Sequence, residues 1–68
     1  MHKFRIFYVL ENDDHDFIEI EMPHIPLKGE IIGLWIKDIW YLLTLDEIVH
    51  EFDEDNKYII TELNLYEK

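Results

Sequence analysis

The chain has 68 residues, no cysteine and a formal net charge of -10. A domain of this length buries only about 60% of the surface that its unfolded form exposes, and without cysteine it has neither disulfides nor cysteine-based zinc sites to stabilise it. The charge disfavours direct binding to nucleic acid phosphates. A hydrophobic content of 49% is nevertheless too high for a disordered chain, so we expect residues 1–68 to form one folded domain.

The first two predicted elements form a β-hairpin. Apolar side chains alternate along residues 4–10 and again along residues 16–22, with the period of two that is typical of a half-buried strand. The acidic segment 11–15 between them is a turn, because Asn and Asp side chains hydrogen-bond to nearby turn backbone. Acids concentrate at this turn and at a second site further along the chain: Glu11, Asp13, Asp14, Asp16, Asp46, Glu47, Glu51, Asp53, Glu54 and Asp55.

Pro23 and Pro26 then interrupt the pattern and predict a crossing loop, because proline has no N–H for a sheet ladder. Residues 30–36 resume as a strand in which Gly33 indicates a bulge or a close backbone approach. Lys37 and Asp38 follow as a predicted tight turn.

Residues 40–52 allow two interpretations. The apolar parity changes near Asp46 and Glu47, so a single strand here needs one extra residue, as in a β-bulge. Alternatively, Thr44 to Glu47 matches a helix capping box, which predicts a short helix over residues 44–53. The bent strand is favoured, because acids would crowd the negative end of that helix.

The last predicted strand covers residues 57–66, after the second acidic turn. Five short strands in up-and-down succession indicate an all-β fold, either a small five-stranded SH3-like barrel or a rolled antiparallel sheet. The alternative is an α+β fold with the helix over residues 44–53.

Three segments carry a resemblance to known proteins. The segment Pro26-Leu27-Lys28-Gly29-Glu30 before an apolar strand, with Trp40-Tyr41-x-Leu43 and Ile48-Val49-His50-x-Phe52 after it, resembles short uncharacterised bacterial and phage proteins thought to form SH3-like barrels. The resemblance covers residues 20–66. It implies a fold and no activity.

Little in the sequence indicates catalysis or metal binding. There is no serine or cysteine, and Thr44 and Thr61 are the only hydroxyl nucleophile candidates besides tyrosine. No two histidines have a spacing that would bring both to one metal ion, so His50 is interpreted as a hydrogen-bonded barrel residue. We therefore expect no enzyme activity, no catalytic or metal-binding residue, and no cofactor.

The aromatic residues indicate a contact surface. Phe7, Phe17, Trp35 and Trp40 all fall on the outward parity of their strands. Large rings are enriched at protein interfaces, although in a domain this small they could instead close the barrel. These four residues are the candidate interface, and a homodimer is the expected state.

The sequence therefore predicts a non-enzymatic protein-protein interaction or assembly module. The alternative is an acidic DNA mimic that inhibits a nucleic-acid-binding protein, which should carry its acids as a stripe along one face. The N-terminus has no apolar signal region and no apolar stretch reaches the length of a membrane span, so a cytoplasmic location is expected.

Overall fold

A computed structural model describes residues 1–67, which form a single sheet of five strands without a helix. The strands are β1 (His2–Val9), β2 (His15–Met22), β3 (Ile31–Ile36), β4 (Ile39–Phe52) and β5 (Tyr58–Glu67). The sheet curls strongly into a half-barrel, so the all-β prediction is confirmed. Within residues 1–67, no helix is available to cross a membrane.

The strand order is β2-β1-β5-β4-β3, which places the last strand at the centre of the sheet. Three pairs of neighbours along the chain, β1 with β2, β3 with β4 and β4 with β5, are antiparallel as predicted. The first and last strands, however, lie side by side in parallel. The sheet is therefore mixed, and the simple up-and-down succession that the sequence predicted is interrupted between β2 and β3.

Residues 40–52, for which the sequence allowed two interpretations, lie in a strand with a bulge. β4 runs unbroken from Ile39 to Phe52, so the helix over residues 44–53 is wrong. Its pairing with β5 shifts between Leu45 and Glu47, which leaves Asp46 as the extra residue. Leu45 before the bulge and Ile48 after it consequently both face the inside of the half-barrel.

The core fills the concave side of the sheet. Side chains from β1, β5 and β4 meet there in rows, for example Ile6 beside Leu63, and Leu63 beside Ile48. The edge strands β2 and β3 add half-buried side chains to the same cluster. The fully or almost fully buried hydrophobic members are Phe4, Ile6, Tyr8, Leu10, Ile36, Leu43, Leu45, Leu63 and Leu65.

The loop between β2 and β3 connects the two edges of the sheet. Pro26 is buried within it, and Gly29 adopts a φ of 90°, which favours glycine because it has no Cβ. The Gly29 amide donates to the Leu45 carbonyl at 2.8 Å, and the Leu45 amide donates to the Glu30 carbonyl at 2.9 Å. These bonds fix the loop against β4 and set the position at which β3 begins.

The opposite end of the half-barrel is closed by two turns. Lys37 and Asp38 have φ values of 51° and 66°, as in the two-residue hairpin turns that match strand twist, so the predicted turn is confirmed. The Lys37 ammonium lies 3.1 Å from the Asp14 carboxylate in the β1–β2 turn. Hydrogen bonding to Asp14 raises the pKa of Lys37. This contact joins turns that belong to opposite halves of the sheet.

Replacing Leu63 by alanine should lower the free energy of unfolding by about 3 kcal/mol, because its fully buried side chain lies at the centre of the core. The matched control is Leu27→Ala in the loop, where the side chain is 74% exposed and the loss should stay below about 1 kcal/mol. Urea unfolding of both variants measures the difference. Equal losses in the free energy of unfolding would show that Leu63 of β5 is not central to the core.

The buried position of Tyr8 predicts that the stability of the protein depends on pH in the alkaline range. Burial raises the pKa of Tyr8, and the negative charges of Asp16 and Asp14 raise it further. Above about pH 10 the phenol ionises in the unfolded chain before it ionises in the folded protein, so the free energy of unfolding should fall as the pH rises through this range. Below about pH 9 this group should have no effect.

Tyr8→Phe removes that contribution. Urea unfolding of the wild type and the variant between pH 8 and 11 should show a steeper alkaline decline for the wild type. Parallel curves would contradict the assignment to Tyr8.

Candidate protein-binding surface

The outer face of the sheet carries a row of apolar side chains that Thr44 interrupts between Tyr66 and Ile31. Because side chains alternate along a strand, the residues between the core positions point outward, and the strand register places several apolar ones side by side. We call this row the outer apolar band; it consists of Phe17, Phe7, Val9, Tyr66, Ile31, Leu42, Trp40 and Trp35, and it crosses all five strands.

One end of the outer apolar band is a phenylalanine pair. Phe7 and Phe17 are direct cross-strand partners on β1 and β2, and their ring centroids lie 4.9 Å apart. Phe7 is half-buried, whereas Phe17 is 53% exposed. They line a shallow cleft of about 460 Å³ that reaches to the Asp46 bulge.

The other end is a tryptophan pair on the β3–β4 hairpin. Trp35 and Trp40 are cross-strand partners with ring centroids 5.4 Å apart, and they are 69% and 51% exposed. The Trp40 ring lies over Gly33, so closely that a Cβ at this position would collide with it. Gly33 therefore provides the close approach that the sequence predicted, and an aromatic ring covers the glycine of an edge strand.

Several charged side chains on the outer face form ion pairs with one another. The Lys3 ammonium lies 3.4 Å from the Glu19 carboxylate. The Arg5 guanidinium lies 3.4 Å from the carboxylate of Glu51 and 3.8 Å from that of Glu62. These pairs are partly solvated, and each contributes little to stability. They do, however, neutralise part of the acidic charge beside the outer apolar band.

All four residues predicted from the sequence lie on the outer face, but they do not form one cluster. The phenylalanines and the tryptophans sit on opposite edge hairpins, separated by β5 and by the curvature of the sheet. Val9, Tyr66, Ile31 and Leu42, which lie between the two pairs, were not among the predicted interface residues. The alternation of side chains along a strand, which places them on the same face as Phe7 and Trp40, is the sequence signal that could have identified them.

A small polar network lies at the end of the half-barrel near the N-terminus. Thr61 is buried, and its Oγ1 lies 2.8 Å from His50 Nδ1 and 2.7 Å from the Tyr58 hydroxyl. His50 is therefore hydrogen-bonded, as predicted, with an exposed side chain at the rim of the half-barrel. Within residues 1–67, no three His, Asp or Glu side chains converge as metal ligands would.

Comparison with known proteins adds no relative: no family model, curated protein or solved structure matches the chain.

The contact between Gly33 and Trp40 predicts a coupled effect. Gly33→Ala should displace the Trp40 ring and lower the free energy of unfolding by about 1 kcal/mol. In a Trp40→Leu background the same substitution should cost less, because the ring that it displaces is absent. A double-mutant cycle measured by urea unfolding of dilute protein gives this coupling. The same loss in both backgrounds would contradict it.

Proposed function

We propose that this protein is a non-enzymatic protein-protein interaction or assembly module that binds through its outer apolar band, and that it acts in the cytoplasm. The half-barrel presents two aromatic pairs on its outer face while its core packs on the inner face. We propose that it is related to the short bacterial and phage proteins thought to form SH3-like barrels, and that its outer face holds a protein partner.

The observation that supports this proposal most directly is the exposure of the tryptophan pair. Trp35 is 69% exposed beside Trp40, Ile31 and Leu42, which are all more than half exposed. Contiguous apolar side chains on a soluble domain are usually contact surfaces, and tryptophan is the residue most enriched among those that dominate binding energy. Association would remove these side chains from water at about 25 cal/mol per Å² of apolar area.

The chemistry available within residues 1–67 favours binding over catalysis. The hydrogen-bonded set of His50, Thr61 and Tyr58 has no carboxylate within it to orient the imidazole, as a catalytic triad requires. Thr61 is also almost fully buried, so its hydroxyl is poorly accessible to a substrate. This network supports a structural role at the end of the half-barrel.

The arrangement of charge gives less support to the acidic DNA-mimic alternative. A mimic needs an unneutralised stripe of carboxylates, whereas Glu19, Glu51 and Glu62 on the outer face each lie beside Lys3 or Arg5. Two further acids accept hydrogen bonds from nearby backbone amides: Asp53 in its turn from Asp55 and Lys57, and Asp16 from Phe17. A protein partner for the outer apolar band therefore remains our proposal.

Site-specific crosslinking tests the proposed function. A photoreactive phenylalanine analogue at position 35 should form covalent adducts of discrete mass in cells that express the protein. The same analogue at position 59 is the control, because Ile59 is also apolar and 57% exposed but lies outside the outer apolar band. Adducts at position 35 and few at position 59 are the expected result. Equal labelling at both positions, or none at position 35, would reject the proposal.

A further inference from the structure

The free edge of β3 is uncharged from end to end. β3 is last in the strand order and pairs only with β4. Its six residues, Ile31-Ile32-Gly33-Leu34-Trp35-Ile36, include no charge and no proline, which are the usual features that prevent edge strands from pairing with another chain. The other edge strand, β2, carries Asp16, Glu19 and Glu21. The two edges of the sheet therefore differ in their capacity to associate.

The turn geometry shows which backbone groups this edge presents. Ile36 and Ile39 flank a two-residue turn, so they exchange both hydrogen bonds, and bonded pairs then alternate along the hairpin. The bond from the Leu45 amide to the Glu30 carbonyl agrees with this alternation. The amides and carbonyls of Ile31, Gly33 and Trp35 consequently point away from β4, and no hydrogen bond found within residues 1–67 uses them.

We propose that a second copy of this chain pairs with this edge, β3 against β3 in antiparallel orientation, with the two-fold axis at Gly33. The inference rests on the proposed function and names both the partner and the surface. Gly33 would face Gly33 of the second copy, and Ile31 would face its Trp35. The three outward-pointing residues of each chain then form about six backbone hydrogen bonds across the axis.

Side chains on the outer face support this register. Ile31, Gly33 and Trp35 share the outer face with Trp40 and Leu42, so pairing unites the tryptophan ends of two outer apolar bands. Trp35 of each copy becomes the direct cross-strand neighbour of Ile31 in the other, an aromatic and β-branched pair that stabilises sheets. Because Gly33 has no Cβ, the Trp40 ring of each copy can remain over its own Gly33 beside the two-fold axis.

The residues that flank β3 carry both signs of charge at each end. Lys28 and Glu30 precede the strand, and Lys37 and Asp38 follow it. Antiparallel pairing about Gly33 brings the loop that precedes β3 in one copy near the turn that follows β3 in the other. Neither end therefore opposes pairing through a concentration of like charge.

Sedimentation and amide exchange test the inference on the wild-type chain. Sedimentation velocity over roughly 1 to 500 µM should show a reversible monomer-dimer equilibrium. Hydrogen exchange followed by NMR should show that the Gly33 and Trp35 amides become protected as concentration rises, while the amides of β2 do not change. A protein that stays monomeric, or a dimer in which these two amides exchange freely, would overturn the inference.

A proline substitution isolates the backbone contribution. Ile31→Pro removes an outward-pointing amide that the monomer does not use, and proline is tolerated at such edge positions. It should raise the dimer dissociation constant at least about tenfold, since the amide is lost in both copies. Ile31→Ala retains the amide and loses only the side-chain contact with Trp35 of the second copy, so it should raise the constant by a smaller factor than Ile31→Pro. Equal effects of the two substitutions would contradict strand pairing.

A second pair of variants covers the case in which Ile31→Pro does not fold. Trp35→Lys places a charge at the proposed interface, and Phe17→Lys places the same charge on the β2 edge, at a residue that is also more than half exposed. Only Trp35→Lys should abolish dimerisation. Loss of the dimer in both variants, or in Phe17→Lys alone, would move the interface away from β3.

Failure of this inference can be distinguished from failure of the proposed function. If position 35 crosslinks to a different protein while the purified chain remains monomeric, the outer apolar band binds a partner and the second copy is ruled out. If position 35 gives no adduct at all, the proposed function itself is rejected.

Discussion

β5 is the strand on which both halves of the sheet depend. Its inner side chains, Leu63 and Leu65 above all, pack against β1 on one side and β4 on the other. Neither edge hairpin could bury its apolar face without this shared surface, because an isolated hairpin is marginally stable in water. The bulge at Asp46 keeps the inward-facing residues of β4 opposite those of β5. Without the extra residue, Ile48 would point outward and a charged side chain would enter the core.

Local chemistry explains why much of this fold could be predicted from the sequence. Alternation of apolar side chains identified the strands, the change of parity near Asp46 identified the bulge, and Lys37 with Asp38 identified the hairpin turn. The parallel pairing of β1 with β5 left no such signal. Periodicity reports which face a strand buries and is silent about which strand lies beside it, and two antiparallel hairpins would have satisfied the same pattern.

The candidate surface was predictable in part for the same reason. Parity placed Phe7, Phe17, Trp35 and Trp40 outward, yet it could not show that the curvature of the sheet separates them into two pairs. Gly33 was an informative residue, because a glycine within a strand predicts a close approach. The identity of the approaching group, the Trp40 ring, depends on the hairpin register, which only the turn at Lys37 and Asp38 determines.

The central position of the last strand has a consequence for how the protein forms. During synthesis the β1–β2 and β3–β4 hairpins emerge before β5, so the pairings that complete the core must wait for the ten residues of β5. The pairing of β1 with β5 joins residues far apart in the chain, and it slows folding because a long loop has to be closed before any contact compensates for its entropy. Until then the uncharged β3 segment is exposed in an unfinished chain, where it favours aggregation. The dense negative charge of the turns gives the nascent chain a mutual repulsion that opposes this outcome.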